Sequence, residues 1–235
     1  SFGRTEATGH GTAIVIQQAV KDFNIVPIEE ARVAIQGFGN VGLHTARFLD
    51  EMGAKIVAIS DYAGGIYNPG GLPIDLLADY PNQGRLVQEF GSADIISNDE
   101  LLELSCDILV PAAVGGVITE QNADKIKAGS IFEAANGPIT RSGESILEDK
   151  GKIIFPDILV NAGGVIVSYF EWVQNIQEFT WELDEVNDKL KRILINSYQQ
   201  VCQLADKQKI SMRTAAFMVG VERVAEATRL RGYLN

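Results

Sequence analysis

The sequence predicts an α/β fold, a doubly wound, mostly parallel sheet with helices before and after it. Three observations carry this. Six short β-rich runs, over 32–36, 55–60, 94–97, 107–110, 130–133 and 152–155, are too continuously apolar to keep one wet face. Helical segments over 40–52, 98–104, 119–127 and 140–150 separate most of them, the alternation of a parallel sheet covered on both sides. After residue 157 no further convincing strand occurs, and Leu183, Val186, Leu190, Ile193, Ser197, Val201 and Leu204 recur at helical spacing.

Taken in order, Ala13, Ile16, Val20 and Phe23 place a helix over 13–23 ahead of the first strand. The glycine-rich stretch 64–71 reads as a turn cluster, and a last helix over 211–229 carries small apolar residues around much of its circumference. That width exceeds what this chain alone is expected to cover. Without repeats or a Pro- or Ser-rich linker, residues 1–235 read as a single domain: an initial helix in 1–30, a sheet core in 31–160 and C-terminal helices in 161–235.

The 235 residues are 46% hydrophobic and 22% charged, the composition of an ordinary globular chain. A net charge of −11 opposes nonspecific attraction to nucleic acid or an anionic membrane. The longest apolar stretches fall far short of the roughly 20 residues of a spanning helix. Ser1 opens neither a secretory signal nor a chain with an initiator Met, so the sequence reads as part of a longer, cytoplasmic protein. Cys106 and Cys202 lack metal-ligand spacing and read as small buried apolar residues in a reducing compartment. No metal site is expected.

The sharpest local pattern is Gly37-Phe38-Gly39-Asn40-Val41-Gly42, which directly follows the first strand and opens a helix. There, glycines permit a tight turn, close backbone approach to a pyrophosphate and close helix–strand packing, while the helix N-terminus attracts the anion. Such a Rossmann-like turn calls for an acid about 20 residues on, and Asp61 stands 19 positions after Gly42 at a strand end. Asp61 is therefore expected at an adenosine ribose, with a turn or cap role as its alternative. The pattern implies NAD or NADP, and the carboxylate inclines the choice toward NAD. Ligands of parallel sheets bind outside the carboxyl ends of the strands. That makes Ala112 and Ala113 after the fourth run, Asn136 after the fifth and Asn161 after the last further candidates.

Six motifs stand in order: Thr5-Glu-Ala-Thr-Gly9, Gly37 to Gly42, Pro111-Ala-Ala113, Ala134-Ala-Asn-Gly-Pro138, Asn161-Ala-Gly-Gly164 and Val167-Ser-Tyr-Phe-Glu-Trp172. Together they resemble the C-terminal nucleotide-binding domain of glutamate dehydrogenase, in the family shared with leucine, valine and phenylalanine dehydrogenases, over nearly the whole chain. The resemblance implies that Thr8 and Asn40 hold the nicotinamide carboxamide, that Asn136 lies at the nicotinamide ribose, and that Asn161 sits where ring and substrate meet. It places Val165 and Ser168 at the substrate, Ser168 reading its side-chain carboxylate, and Arg4 at the cleft or its hinge. His10 stands where Tyr, Phe or Arg is more usual and receives no catalytic role.

The same resemblance implies that the catalytic Lys and Asp belong to a preceding substrate domain that no segment here resembles, leaving no catalytic residue in this chain. The intact enzyme would interconvert L-glutamate with 2-oxoglutarate and ammonia as a homohexamer, and the isolated chain would bind dinucleotide without turnover. Two alternatives remain: a cofactor domain for a branched or aromatic amino acid, and a stand-alone nucleotide-sensing module.

Overall fold

The computed structural model describes residues 1–232. Among them, seven strands form one sheet: β1 (Arg32–Gln36), β2 (Lys55–Asp61), β3 (Gly64–Tyr67), β4 (Asp94–Ile96), β5 (Ile108–Pro111), β6 (Ser130–Phe132) and β7 (Ile153–Phe155), in the order β4-β3-β2-β1-β5-β6-β7. Pairings from β2 through β1, β5 and β6 to β7 are parallel, and β3 runs antiparallel to both its neighbours. Chain order turns back at β1, between β2 and β5, so the crevice of the sheet opens beside the carboxyl end of β1.

Continuous apolar strands become two cores because successive side chains point to opposite faces. Val33, Ile35, Ile108, Val110, Phe132 and Phe155 join one core, while Ala34, Leu109, Ile131 and Ile154 join the other. Opposite β1 the register of β2 shifts after Val33, so Ile56 pairs with Val33 and Ala58 with Ala34. The extra residue, Val57, resets the alternation. Ile56 and Ile59 accordingly both face the first core and Ala58 the second.

The larger core is covered by α1 (Ala7–Asp22), α2 (Asn40–Glu51), α7 (Gly163–Gln177), α8 (Leu183–Gln208) and α9 (Met212–Leu230). The smaller core lies under α4 (Asn98–Leu102) and α5 (Arg141–Asp149); two single turns, α3 (Ile74–Leu77) and α6 (Asp157–Val160), complete the helices described. Helix starts follow side-chain chemistry: the hydroxyls of Ser97, Thr140 and Ser211 accept the backbone N–H groups of Glu100, Gly143 and Thr214. Around α1 the packing uses backbone rather than side chains. A Cβ on Gly9 would lie 2.6 Å from the Thr45 nitrogen of α2, and one on Gly11 would lie 3.0 Å from the Gly163 Cα of α7.

Two elements differ from expectation. The 64–71 cluster contains β3, whose Gly64 (φ +143°) and Gly65 lie against Gln88 and the Ile59 carbonyl, where a Cβ would clash. Residues 119–127 form only a 3₁₀ turn, Ala123–Lys125. The Asn122 side chain accepts the Thr119 N–H and donates to the Val117 carbonyl, a local pairing that competes with a helix. Cys106 is buried as expected, whereas Cys202 is only half-buried and lies 4.0 Å from the Met212 sulfur.

Candidate dinucleotide site and its family

The carboxyl edge of the sheet brings the expected residues into one row. At its centre, the chain leaves β1 through Gly37, whose φ of +101° lies in the region favoured by glycine. Its N–H donates to the Ser60 carbonyl at 3.0 Å, and a Cβ there would lie 2.8 Å from Ala113. Gly42 is equally constrained, since a Cβ would collide with the Gly37 carbonyl oxygen. Gly39 differs: it is exposed at the N-cap of α2 and an added Cβ would meet nothing within 4 Å. Two glycines thus shape the turn, and the third leaves open space beside the first N–H groups of α2. That is where an anion is attracted by the helix terminus. Phe38 is buried and anchors the turn.

This turn forms one wall of a cavity of about 770 Å³, lined by Gln36 to Val41, Asp61, Tyr62, Pro81, Gly84 to Val87, Asn98 and Ala112 to Val114. Asp61 helps build the opposite wall. One of its carboxylate oxygens accepts the Ala63 N–H at 2.8 Å, the other the Val87 N–H at 2.8 Å, and its carbonyl accepts from Asn98 Nδ2 at 3.0 Å. Its turn role is therefore realised, and each carboxylate oxygen keeps a second lone pair for a ribose hydroxyl. Gln36 Oε1 and Asn98 Oδ1 are buried without a hydrogen-bond partner among the described residues, and both residues line the cavity. An open cradle at Gly39 and two orphaned acceptors fit a ligand that carries both phosphates and hydroxyl or amine donors.

The segment 81–87 escaped the sequence reading. Its Arg85 guanidinium lies 3.8 Å from the centre of the Tyr80 ring and pairs with Glu89 at 3.2 Å. The Pro-Asn-Gln-Gly run marks it only as a turn.

Further along the edge, the Gly116 N–H donates to the Gly137 carbonyl at 2.8 Å, holding the loop after β5 against the loop after β6. Exposed Asn136 lies in that second loop, and its Oδ1 accepts from Asn161 Nδ2 at 2.7 Å. Asn40 Nδ2 donates to the Thr5 carbonyl at 2.8 Å, tying the cofactor turn to the start of α1. Thr8, the second residue of that helix, has its hydroxyl against Gly164, where a Cβ would clash. Asn161, Val165 and Ser168 follow at helical spacing into α7, and Val165 and Ser168 are exposed together with Tyr169 and Trp172. Arg4, half-exposed, lies 3.8 Å from Glu171 of the same helix.

Below this edge is a buried ion cluster that the sequence did not announce. Glu133, which follows β6, is fully buried. Its carboxylate accepts from Arg213 Nη2 at 2.8 Å and from the Asp157 N–H at 2.8 Å. Burial pushes the Glu133 carboxyl above its ordinary pKa, opposed by the guanidinium beside it. Arg213 also meets Glu144 at 2.7 Å and Asp157 at 3.4 Å.

A parallel sheet with a glycine-rich turn, an acid at the second strand end and a cavity between them defines a dinucleotide-binding domain of the dehydrogenase class. The model of the Glutamate/Leucine/Phenylalanine/Valine dehydrogenase family matches residues 1–232, and the chain belongs to that family. It is 49% identical over 235 residues to the cryptic catabolic NAD-specific glutamate dehydrogenase of Bacillus subtilis, covering all of this chain and 54% of that protein. It is also 49% identical over 234 residues to an NAD-specific glutamate dehydrogenase of Staphylococcus aureus, covering 56% of it. The hetero-hexameric glutamate dehydrogenase of Thermus thermophilus superposes with a TM-score of 0.91 at 32% identity, over all of this chain and 55% of that one. For the enzyme of Peptoniphilus asaccharolyticus the TM-score is 0.84 at 35% identity, with 55% of that chain covered. The chain thus spans about half the length of the relatives it matches.

Proposed function

We propose that this chain is the cofactor-binding half of an NAD-dependent glutamate dehydrogenase, which converts L-glutamate, NAD+ and water to 2-oxoglutarate, ammonia and NADH. The observation that carries the reading is the open space at Gly39, beside the first N–H groups of α2 and facing the Asp61 wall. When bound, the nicotinamide supplies or accepts the hydride. The chain's own residues bind and orient. Gly37 to Gly42 cradle the pyrophosphate, Asp61 takes the adenosine ribose, Ala112 and Ala113 leave room for a flat group, and Asn136 holds the second ribose. Thr8 and Asn40 hold the carboxamide and so set which ring face meets the substrate. Asn161, Val165 and Ser168 present the substrate side, the Ser168 hydroxyl donating to a side-chain carboxylate.

Orientation of this kind can account for a large part of a barrier reduction. The Lys and Asp that handle water and proton chemistry would come from a further domain, so the 235 residues alone bind cofactor without turnover. Glutamate is favoured over a branched or aromatic amino acid because Ser168 is exposed on the same face as Asn161. NAD is favoured over NADP because Asp61 opposes a 2′-phosphate and the cavity's Arg85 is already paired with Glu89. Assembly as a hexamer of like subunits is part of this reading. No helix of the described residues is long and apolar enough to cross a membrane; a cytoplasmic location is part of this reading.

Calorimetric titration with NAD and NADP tests the cofactor. Tighter NAD is expected; clearly tighter NADP would remove the role given to Asp61, and binding of neither at millimolar concentration would remove the dinucleotide. In the full-length protein, Ser168→Ala should lower efficiency with 2-oxoglutarate roughly ten- to a hundredfold, the scale of one hydrogen bond to a charged group. An apolar 2-oxo acid should lose much less, and an equal loss with both would reassign Ser168 to packing.

A further inference from the structure

The loop that carries Asn136 has no regular structure of its own and needs an external anchor. The Ala134 and Ala135 N–H groups donate to the Pro111 carbonyl on one side of Asn136, and on the other the adjacent Gly137 N–H donates to Asp157 Oδ2 at 2.8 Å. Asp157 in turn caps its own helix start, its Oδ1 accepting the Ile158 N–H at 2.8 Å, and that short helix ends at Asn161. One carboxylate therefore positions both members of the Asn136–Asn161 hydrogen bond.

That carboxylate also meets Arg213, from the start of α9, whose Nη1 lies 3.4 Å from Asp157 Oδ1. Its planar fork spans three acids on three elements: Glu133 after β6, Glu144 on α5 and Asp157 on α6. Two of these contacts are short and paired, the third is longer, so Arg213 is clamped by Glu133 and Glu144 and presents its remaining edge to Asp157. A lysine, a point charge on a flexible stem, could balance Glu133 without holding this geometry.

We propose that Arg213 is a positioning residue for the nicotinamide end of the site: through Asp157 it fixes the Gly137 anchor and, with it, the Asn136–Asn161 pair. The proposal rests on the assignment of Asn136 to the nicotinamide ribose. It makes the two ends of the cofactor separable. The Asp61 wall and the Gly37–Gly42 turn share no contact with Arg213, so the adenosine and pyrophosphate end should be indifferent to it.

The test uses the full-length protein with Arg213→Lys, Asp157→Ala and the double variant, each checked for folding. ADP binding is measured by calorimetry, and NADH binding by the fluorescence of its nicotinamide. ADP affinity should stay within about twofold in all three. NADH should bind about fivefold more weakly with a smaller fluorescence gain, the scale of one lost hydrogen bond. Because the two residues act in series, the double variant should be no worse than the weaker single.

Additive losses in the double variant, or equal losses of ADP and NADH, would overturn the proposal, as would folded variants that bind both like the wild type. Wild-type protein that binds ADP but gives no nicotinamide response would overturn the placement of Asn136, and the proposal with it. Binding of neither ligand would instead overturn the dinucleotide reading itself.

Discussion

The two ends of the carboxyl edge are built differently. Around β1 and β2, the turn is shaped by backbone, with Gly37, Gly39 and Gly42 spaced in one turn and Asp61 bonded to N–H groups of its own hairpin and of Val87. Around β6 and β7, exposed Asn136 and half-buried Asn161 rest on a charge cluster centred on buried Glu133, whose members lie up to 80 positions apart. The first end is a local device that any strand–turn–helix of suitable sequence can form. The second depends on the last helix reaching back across the fold.

Breaking the second end should cost the most stability. Glu133→Ala removes a fully buried carboxylate and strips Arg213 and the Asp157 N–H of a partner. A loss of about 3–5 kcal/mol is expected in denaturant unfolding, the scale of a broken buried pair. A loss below about 1 kcal/mol would mean that the cluster is not structural. At the first end, Gly42→Ala should cost about 2–3 kcal/mol through overpacking against the Gly37 carbonyl, again measured by unfolding.

Gly39→Val sharpens the contrast. Its backbone is extended (φ −79°, ψ −162°) and open, so only about 1 kcal/mol of capping preference is at risk. Cofactor affinity should nevertheless fall about tenfold or more. A folded variant with unchanged affinity would show that the pyrophosphate lies elsewhere.

The smallest effect concerns His10, stacked on Phe48 with ring centres 4.2 Å apart. Burial pushes its pKa below the ordinary value, opposed by the Asn187 hydrogen bond and by Glu6 and Glu51, and assisted by Lys191. The folded state therefore favours the neutral ring, and the unfolded chain takes up its proton first. The resulting stability is present above about pH 6.5 and lost as pH falls through the lowered folded value. His44, lowered by burial as well, acts in the same direction. His10→Phe keeps the stack and removes one titration, so its Tm should decline less than that of the wild type as pH falls from about 7 to about 5. Parallel declines would exclude His10 as a contributor.

Legibility in the sequence followed the same division. The glycine turn, its flanking strand and helix, and Asp61 were readable because each obeys local backbone rules, although their contacts reach Ser60, Val87 and Ala113. Strand β3 was hidden because Gly64 and Gly65 are poor strand formers, present only because Gln88 and the Ile59 carbonyl leave no room for a Cβ. The 119–127 helix was misread because apolar spacing at Ile118, Ala123 and Ile126 is produced by a loop that Asn122 ties to Val117. Arg213 could not be read at all: an arginine opening a helix after Ser211 looks like a solvated residue until the fold places three acids around it.

The glycine contacts of α1 have a mechanical consequence. At Gly9 the backbone of α1 lies against Thr45 and the His44 Cβ of α2, and at Gly11 against the Gly163 backbone of α7, too close for a side chain on either glycine. The helix that presents the cofactor turn and the helix that presents Ser168 are thus bolted to a common shaft. A rotation of one must carry the other with it, so the spacing between the Gly37–Gly42 turn and Ser168 is held by this three-helix block.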